Sequence, residues 1–168
     1  MSLPEELKIV FESFDRNALV NKAVLATLKM DDLDYSDGVG GFSIGQHLAD
    51  IVDFRPSWVT RVSPGHLEGY TSVTDEKSPT WLGVKSIDEL QQAFDAGDTA
   101  MRQAVLDAVN EGRSFETVYQ SHPANLIQHC IVHDSHHRGQ IMALLRQAGR
   151  PVEQRERLEE ATWPIWRE

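Results

Sequence analysis

Four stretches of this 168-residue chain repeat their apolar side chains every three or four positions, and almost nothing in it alternates with the two-residue period of a strand. Such spacing gathers apolar groups on one stripe of a helix, so the chain is committed to helices packed stripe to stripe. Leu7, Val10, Phe11, Phe14, Leu19, Ala23, Val24 and Leu28 predict a first helix over about 3–29, with Ser2 as a candidate N-cap. Ser43 followed three residues later by Gln46 is a capping-box pattern. It opens a second helix, 43–62, in which Pro56 predicts a kink or a short break. Ser86 with Glu89 repeats the pattern and opens a third helix, 86–111, carrying Leu90, Phe94, Met101 and Val105. A fourth helix runs 123–148, stopped by Gly149 and Pro151.

Between these helices lie an acidic loop (31–41), a Gly/Ser/Thr/Pro-rich segment (63–85) and a connector (113–123). A segment as long as 63–85 without a period reads as a lid or a crossover, and within it "TSVT" is the one weak strand candidate. The tail, 149–168, is charged and then aromatic; Trp163 and Trp166 are expected to fold back or to meet a partner subunit. The expected fold is all-α: one domain over 1–168, a four-helix bundle with a long connection between the second and third helices.

Composition narrows the function classes. Hydrophobic residues make up 40% of the chain, enough for a core, yet no run of eighteen apolar residues exists to span a membrane. The net charge of −10 argues against nucleic acid as a partner, because phosphate binding needs clustered Lys and Arg. The arginines from Arg138 to Arg157 are interleaved with acids and read as a solvated face. Cys130 is the sole cysteine, lies on an apolar stripe and reads as packing. The N-terminus lacks the order of a signal peptide, so the expected compartment is the cytoplasm.

The chemistry concentrates in the fourth helix. Five of the seven histidines lie between His122 and His137. On a helical projection His129, His133, His137 and Gln140 share a side with Leu126, Cys130, Ile141 and Leu144, the side expected to face the core. Several buried imidazoles need several partners, and would repel if charged together. A cation resolves both problems, because neutral imidazole lone pairs can converge on it. His133 and His137 stand four apart, the spacing of neighbours on one helix face. Two ligands rarely suffice, and the second helix offers His47 and Asp50. His66 and His122 sit in loop-like surroundings and are weak ligand candidates. Gly139, inside a helix, is expected to allow the close approach of another group.

The stretch "HCIVHDSHHRGQIMALLRQAG" resembles the signature helix of the DinB/YfiT-like superfamily of metal-dependent bundle proteins, and "FSIGQHLADIVDFRPSW" is similar to that family's second helix. The resemblance implies an up-down-down-up arrangement, often dimeric, with a divalent metal held by one residue of the second helix and two histidines of the fourth. His133 and His137 match the fourth-helix positions. The second-helix position, usually histidine in "LAHI", is here Asp50 in "LADI", with His47 one turn earlier. Carboxylate is a legitimate zinc ligand but shorter; imidazole has longer reach but the wrong turn. Both stay open, and a site that used both would be closed and structural.

The metal is expected to be zinc, nickel or iron. Gln140 is a candidate to orient a ligand histidine, and His129 a candidate general base or supporting residue. The leading reaction implied by the family is transfer of a low-molecular-weight bacterial thiol to a small electrophilic substrate. The alternatives are a metal-dependent hydrolase and a non-catalytic, metal-stapled binding or stress-associated protein.

Overall fold

The computed structural model describes residues 4–167, in which the regular elements are helices: α1 (Glu5–Leu25), α2 (Ile44–Val62), α3 (Ile87–Asn110), α4 (Ala124–Gln147), α5 (Val152–Thr162) and α6 (Pro164–Arg167). Ser2 and Leu3, the expected start of the first helix, lie outside the described residues. None of the described helices is long and apolar enough to cross a membrane.

The predicted caps form at α2. Ser43 Oγ accepts from the Gln46 amide, and Gln46 Oε1 accepts from the Ser43 amide. At α3 only half of the box closes: Ser86 caps the Glu89 amide, while Glu89 reaches back past Ser86 to the Lys85 amide. One boundary needs correction, and a break at Pro56 does not form. α1 ends at Leu25 rather than near 29, because Lys29 is extended and its amide is held by the Asp32 carboxylate, which starts a 3₁₀ turn at Met30–Asp32. α2 runs unbroken through Pro56; next to it, the carbonyl of Ile51 gains a bond from the Arg55 guanidinium.

α2 packs against α3 and α4, and α1 against α4 and α3. Their stripes form two apolar clusters. One holds Val24, Leu25, Leu48, Ile51, Leu90, Phe94, Ile141 and Leu144; the other holds Phe11, Phe14, Phe54, Val59, Met101, Val105, Leu126 and Cys130. α1 and α4 run from the second cluster to the first, and α2 and α3 run from the first to the second. Gly97 sets the spacing of α2 and α3, since a Cβ there would lie 3.0 Å from that of Arg55.

The segment 63–85 is ordered. It begins with a 3₁₀ turn at Pro64–Leu67 and pairs Thr74 with Leu82 in one isolated bridge, short of the strand that "TSVT" hinted at. Leu82 is buried in the first cluster, and Thr80 seats against Gly45, where a Cβ would clash at 2.6 Å. The tail forms α5 and α6, which fold back on α1. Leu158 enters the first cluster, and the Arg16 guanidinium bonds the Ile165 carbonyl.

Gly139 departs from its expected role. It is exposed, and a Cβ there would meet nothing within 4 Å. Glycine costs a helix interior about 1 kcal/mol relative to alanine. Gly139→Ala is therefore expected to stabilise the fold by about 0.5–1 kcal/mol, read as a higher melting temperature; a lower one contradicts the geometry.

Candidate metal centre

α4 presents a buried stripe of Leu126, Ile127, Cys130, Asp134, His137, Ile141 and Leu144. The stripe is rotated from the one expected. Asp134 occupies its middle, His133 is half-buried at its edge, and His129 and Gln140 are exposed. The edge bearing His133 and His137 meets the edge of α2 that carries His47, Asp50 and Phe54. The imidazoles of His133 and His137 lie with centroids 4.5 Å apart.

Asp50 completes the group. Its Oδ2 lies 3.3 Å from His137 Nε2 and its Oδ1 3.9 Å from His133 Nε2. One donor atom from each of the three residues falls within 4.8 Å of the others. Ligands about 2.0–2.1 Å from a tetrahedral zinc stand about 3.3–3.4 Å apart, so the Asp50–His137 edge matches such an ion and the His133 edge is slightly wide. His137 is nearly buried while the Asp50 side chain is 45% exposed, which leaves one side of the group open to solvent. Burial, reinforced by the neighbouring His133, pulls the His137 pKa down to about 4. At neutral pH its ring is uncharged, with a lone pair to offer.

His47 stands elsewhere. Its Nδ1 lies 2.9 Å from Nδ1 of His137, on the side of that ring opposite the nitrogen facing Asp50. Burial holds the His47 pKa below its ordinary value. With a metal on His137 Nε2, the ring's proton would sit on Nδ1 and His47 would accept it. Phe42 packs on His47 at 5.5 Å and on Trp81 at 4.8 Å, bringing the segment 63–85 to the rim. In the acidic loop, Asp32 is turned inward, capping Lys29 and facing Arg150.

On the other side an aromatic row leads away from His133. Phe54 stacks at 4.3 Å from it, His129 meets Phe54 edge-on at 4.9 Å, and Trp58 and Tyr119 follow at 5.3 Å from each other. Tyr119 has φ +51°, a strained conformation for a bulky residue, and its hydroxyl lies 2.7 Å from His129 Nδ1. His129 is thus one turn from the donor group and already engaged. Among the described residues Gln140 bonds neither ligand histidine; three residues past His137, it has turned out to solvent. His66 bridges Ser63 and Asp107, and His122 caps the Ala124 amide, so both have structural partners.

Sequence reasoning missed the polar layer beneath the centre. Arg55, fully buried, binds both oxygens of fully buried Asp134 at 2.8 and 2.7 Å and Asp98 at 2.7 Å. Asn17 and Asn21 donate to Asp134 Oδ2 at 2.7 and 2.8 Å, and their own carbonyls accept from Arg138. Arg138 is largely buried and lies 3.9 Å from Asp134 Oδ2, one turn earlier. Burial pushes the Asp134 carboxyl up, but the Arg55 guanidinium outweighs it and holds the group well below the carboxylate range. A signal existed: Asp134 and Arg55 each fall between apolar residues at helical spacing, Cys130 and Ile141 on one side, Ile51 and Val59 on the other.

A model of the DinB family matches residues 2–168, nearly the whole chain. No curated protein and no solved structure matches it.

Proposed function

The chain belongs to the DinB family, and on that premise we propose that it is a metal-dependent enzyme transferring a low-molecular-weight thiol to a small electrophilic molecule. The observation that carries this reading is the donor group itself: Asp50, His133 and His137 each bring a donor atom within 4.8 Å of the others, with Asp50 half exposed. Three protein donors with an open side are the pattern of catalytic rather than structural zinc. Zinc, nickel and iron all suit two imidazoles and a carboxylate. Bound there, such an ion would supply positive charge that lowers the pKa of a thiol or water beside it.

The chain's own residues do the rest. Asp50 would offset part of such an ion's charge and, being at the rim, defines the direction of approach. His47 holds the proton-bearing side of His137 and so fixes that ring. The row Phe54, Trp58 and Tyr119 offers a dry wall for the carbon skeleton of a small substrate. A hydrolase would need a free base, and His129 is bonded to Tyr119. A closed staple would need a fourth protein donor, and the Nδ1 of His47 is turned to His137 instead. The reading includes an up-down-down-up four-helix bundle, supported by the order in which the helices traverse the two clusters, forming a single cytoplasmic domain over 1–168. It also includes a homodimer, supported by exposed Ile9, Val132, Trp163 and Trp166.

The test separates the parts. Protein prepared without chelators or a nickel column should contain about one divalent ion per chain by elemental analysis. His47→Ala should keep that stoichiometry while weakening affinity by about 10–100-fold, whereas Asp50→Ala should lose the ion. The opposite ranking would make His47 the ligand. Adding 2-mercaptoethanol to cobalt-substituted protein should produce a sulfur-to-cobalt charge-transfer absorption; its absence removes the thiol chemistry and leaves the metal site standing.

A further inference from the structure

His133 Nδ1 is buried and has no hydrogen-bond partner, while its ring's other nitrogen faces Asp50. An unpaired buried imidazole nitrogen is costly, so a structure that tolerates one keeps a partner within reach. Asp134 Oδ1 lies 3.9 Å away. We infer that Asp134 is the positioning residue for His133, accepting a hydrogen bond from its Nδ1–H when Nε2 takes the metal. The inference rests on the metal reading above and adds the residue that sets the geometry and strength of the centre.

Three facts make Asp134 suited to the task. First, the carboxylate is immobile: both its oxygens are held by Arg55, and Oδ2 also accepts from Asn17 and Asn21. Second, its Oδ1 is the less encumbered oxygen, taking one Arg55 nitrogen and a long contact from the Cys130 thiol at 4.0 Å. Third, the fully buried Arg55 guanidinium lies against it at 2.7 Å as a fixed counter-charge. A histidine that ligates through Nε2 carries its proton on Nδ1 and needs an acceptor there. Closing 3.9 Å to a charge-assisted bond of about 2.8 Å takes about 1 Å of ring movement. The ring moves, because the carboxylate cannot. The two ligand histidines are then supported in different ways, His137 by a neutral imidazole from α2 and His133 by a carboxylate tied to α1, α2 and α3.

Nuclear magnetic resonance of zinc-loaded, ¹⁵N-histidine-labelled protein tests this directly. His133 should show a proton on Nδ1 that exchanges slowly and resonates far downfield, and Asp134→Asn should move that resonance upfield. Zinc affinity, by competition with a chromophoric chelator, should fall about 10–100-fold in Asp134→Asn. In Asn21→Ala, which removes a bond to the other oxygen, stability should fall while zinc affinity holds. A zinc-loaded wild type in which His133 Nδ1 is bare or its proton exchanges freely overturns the inference, and it does so without any variant having to fold. Equal losses of affinity in both variants also overturn it, as the mark of a merely structural layer. If the wild type takes up no zinc, the metal reading fails and this inference falls with it; zinc uptake without the protected proton sinks the inference alone.

Discussion

His137→Ala is expected to reduce bound metal from about one ion per chain to less than about a tenth, with the helical content unchanged. The reasoning is geometric. His137 Nε2 makes the tighter of the two approaches to Asp50, 3.3 Å against 3.9 Å for His133. Removing it leaves a half-exposed carboxylate and a single imidazole, too few donors to hold an ion against a competing chelator. The ring is 7% exposed and packs on His47, His133 and His136, so alanine opens a small gap at the edge of the core rather than in its middle. Elemental analysis with circular dichroism reads both quantities. His136→Ala is the matched control: it removes an exposed neighbour of the same chemistry and should leave the metal in place. Stoichiometric metal in folded His137→Ala would contradict the donor set.

Arg55→Ala should be the most destabilising single change, costing about 3–5 kcal/mol. Arg55 lies fully buried between two carboxylates, with Asp134 at 0% and Asp98 at 12% side-chain exposure. Taking a charged residue out of water is expensive, and an ion pair of this kind adds little net stability while intact. Breaking it is another matter, because the remaining charges stay buried without a counterion. Two carboxylates would be left to repel each other or to take up protons, and both are tied to the helices that frame the metal centre. Urea denaturation should show the loss as a lower midpoint with an unchanged slope. A change below about 1 kcal/mol would mean that water reaches this layer and that the helices are not closed over it.

The fold was legible because its evidence is local. Helical spacing, the Ser43–Gln46 box and the Gly149–Pro151 stop all reside in neighbouring residues, and they place α2, α3 and α4 to within a residue or two. The boundary of α1 was misjudged where a contact overrode the pattern: Leu28 continues the stripe, but Asp32 pulls Lys29 out of the helix. The tail's helices were missed because α5 and α6 are held by tertiary contacts with α1, to which a sequence reading is blind.

The candidate site was legible in part for the same reason. His133 and His137 share one helix, and their four-residue spacing is readable. Whether Asp50 or His47 joins them depends on how α2 is rotated against α4. Three residues separate the two candidates, and a rotation of a few tens of degrees would exchange their places. The family pattern pointed to position 50, and the structure places Asp50 toward the Nε2 atoms and His47 behind a ring. The core-facing position expected of His129 and Gln140 failed on the same angle: with Asp134 at the centre of the stripe, both turn outward. Asp134 itself was overlooked because an acid on a core stripe makes sense only with a buried arginine opposite, and Arg55 is 79 residues away in the chain.

The account stands on one convergence, and anomalous X-ray diffraction at the zinc edge tests it most directly. Crystals of protein prepared without chelator and supplied with one equivalent of zinc should show a single strong peak per chain, within about 2.0–2.2 Å of an Asp50 oxygen and of the Nε2 atoms of His133 and His137. His47 should remain uncoordinated behind His137. A peak elsewhere, no peak at all, or an ion closed off by His47 as a fourth ligand would contradict the open three-donor centre on which the proposed chemistry depends.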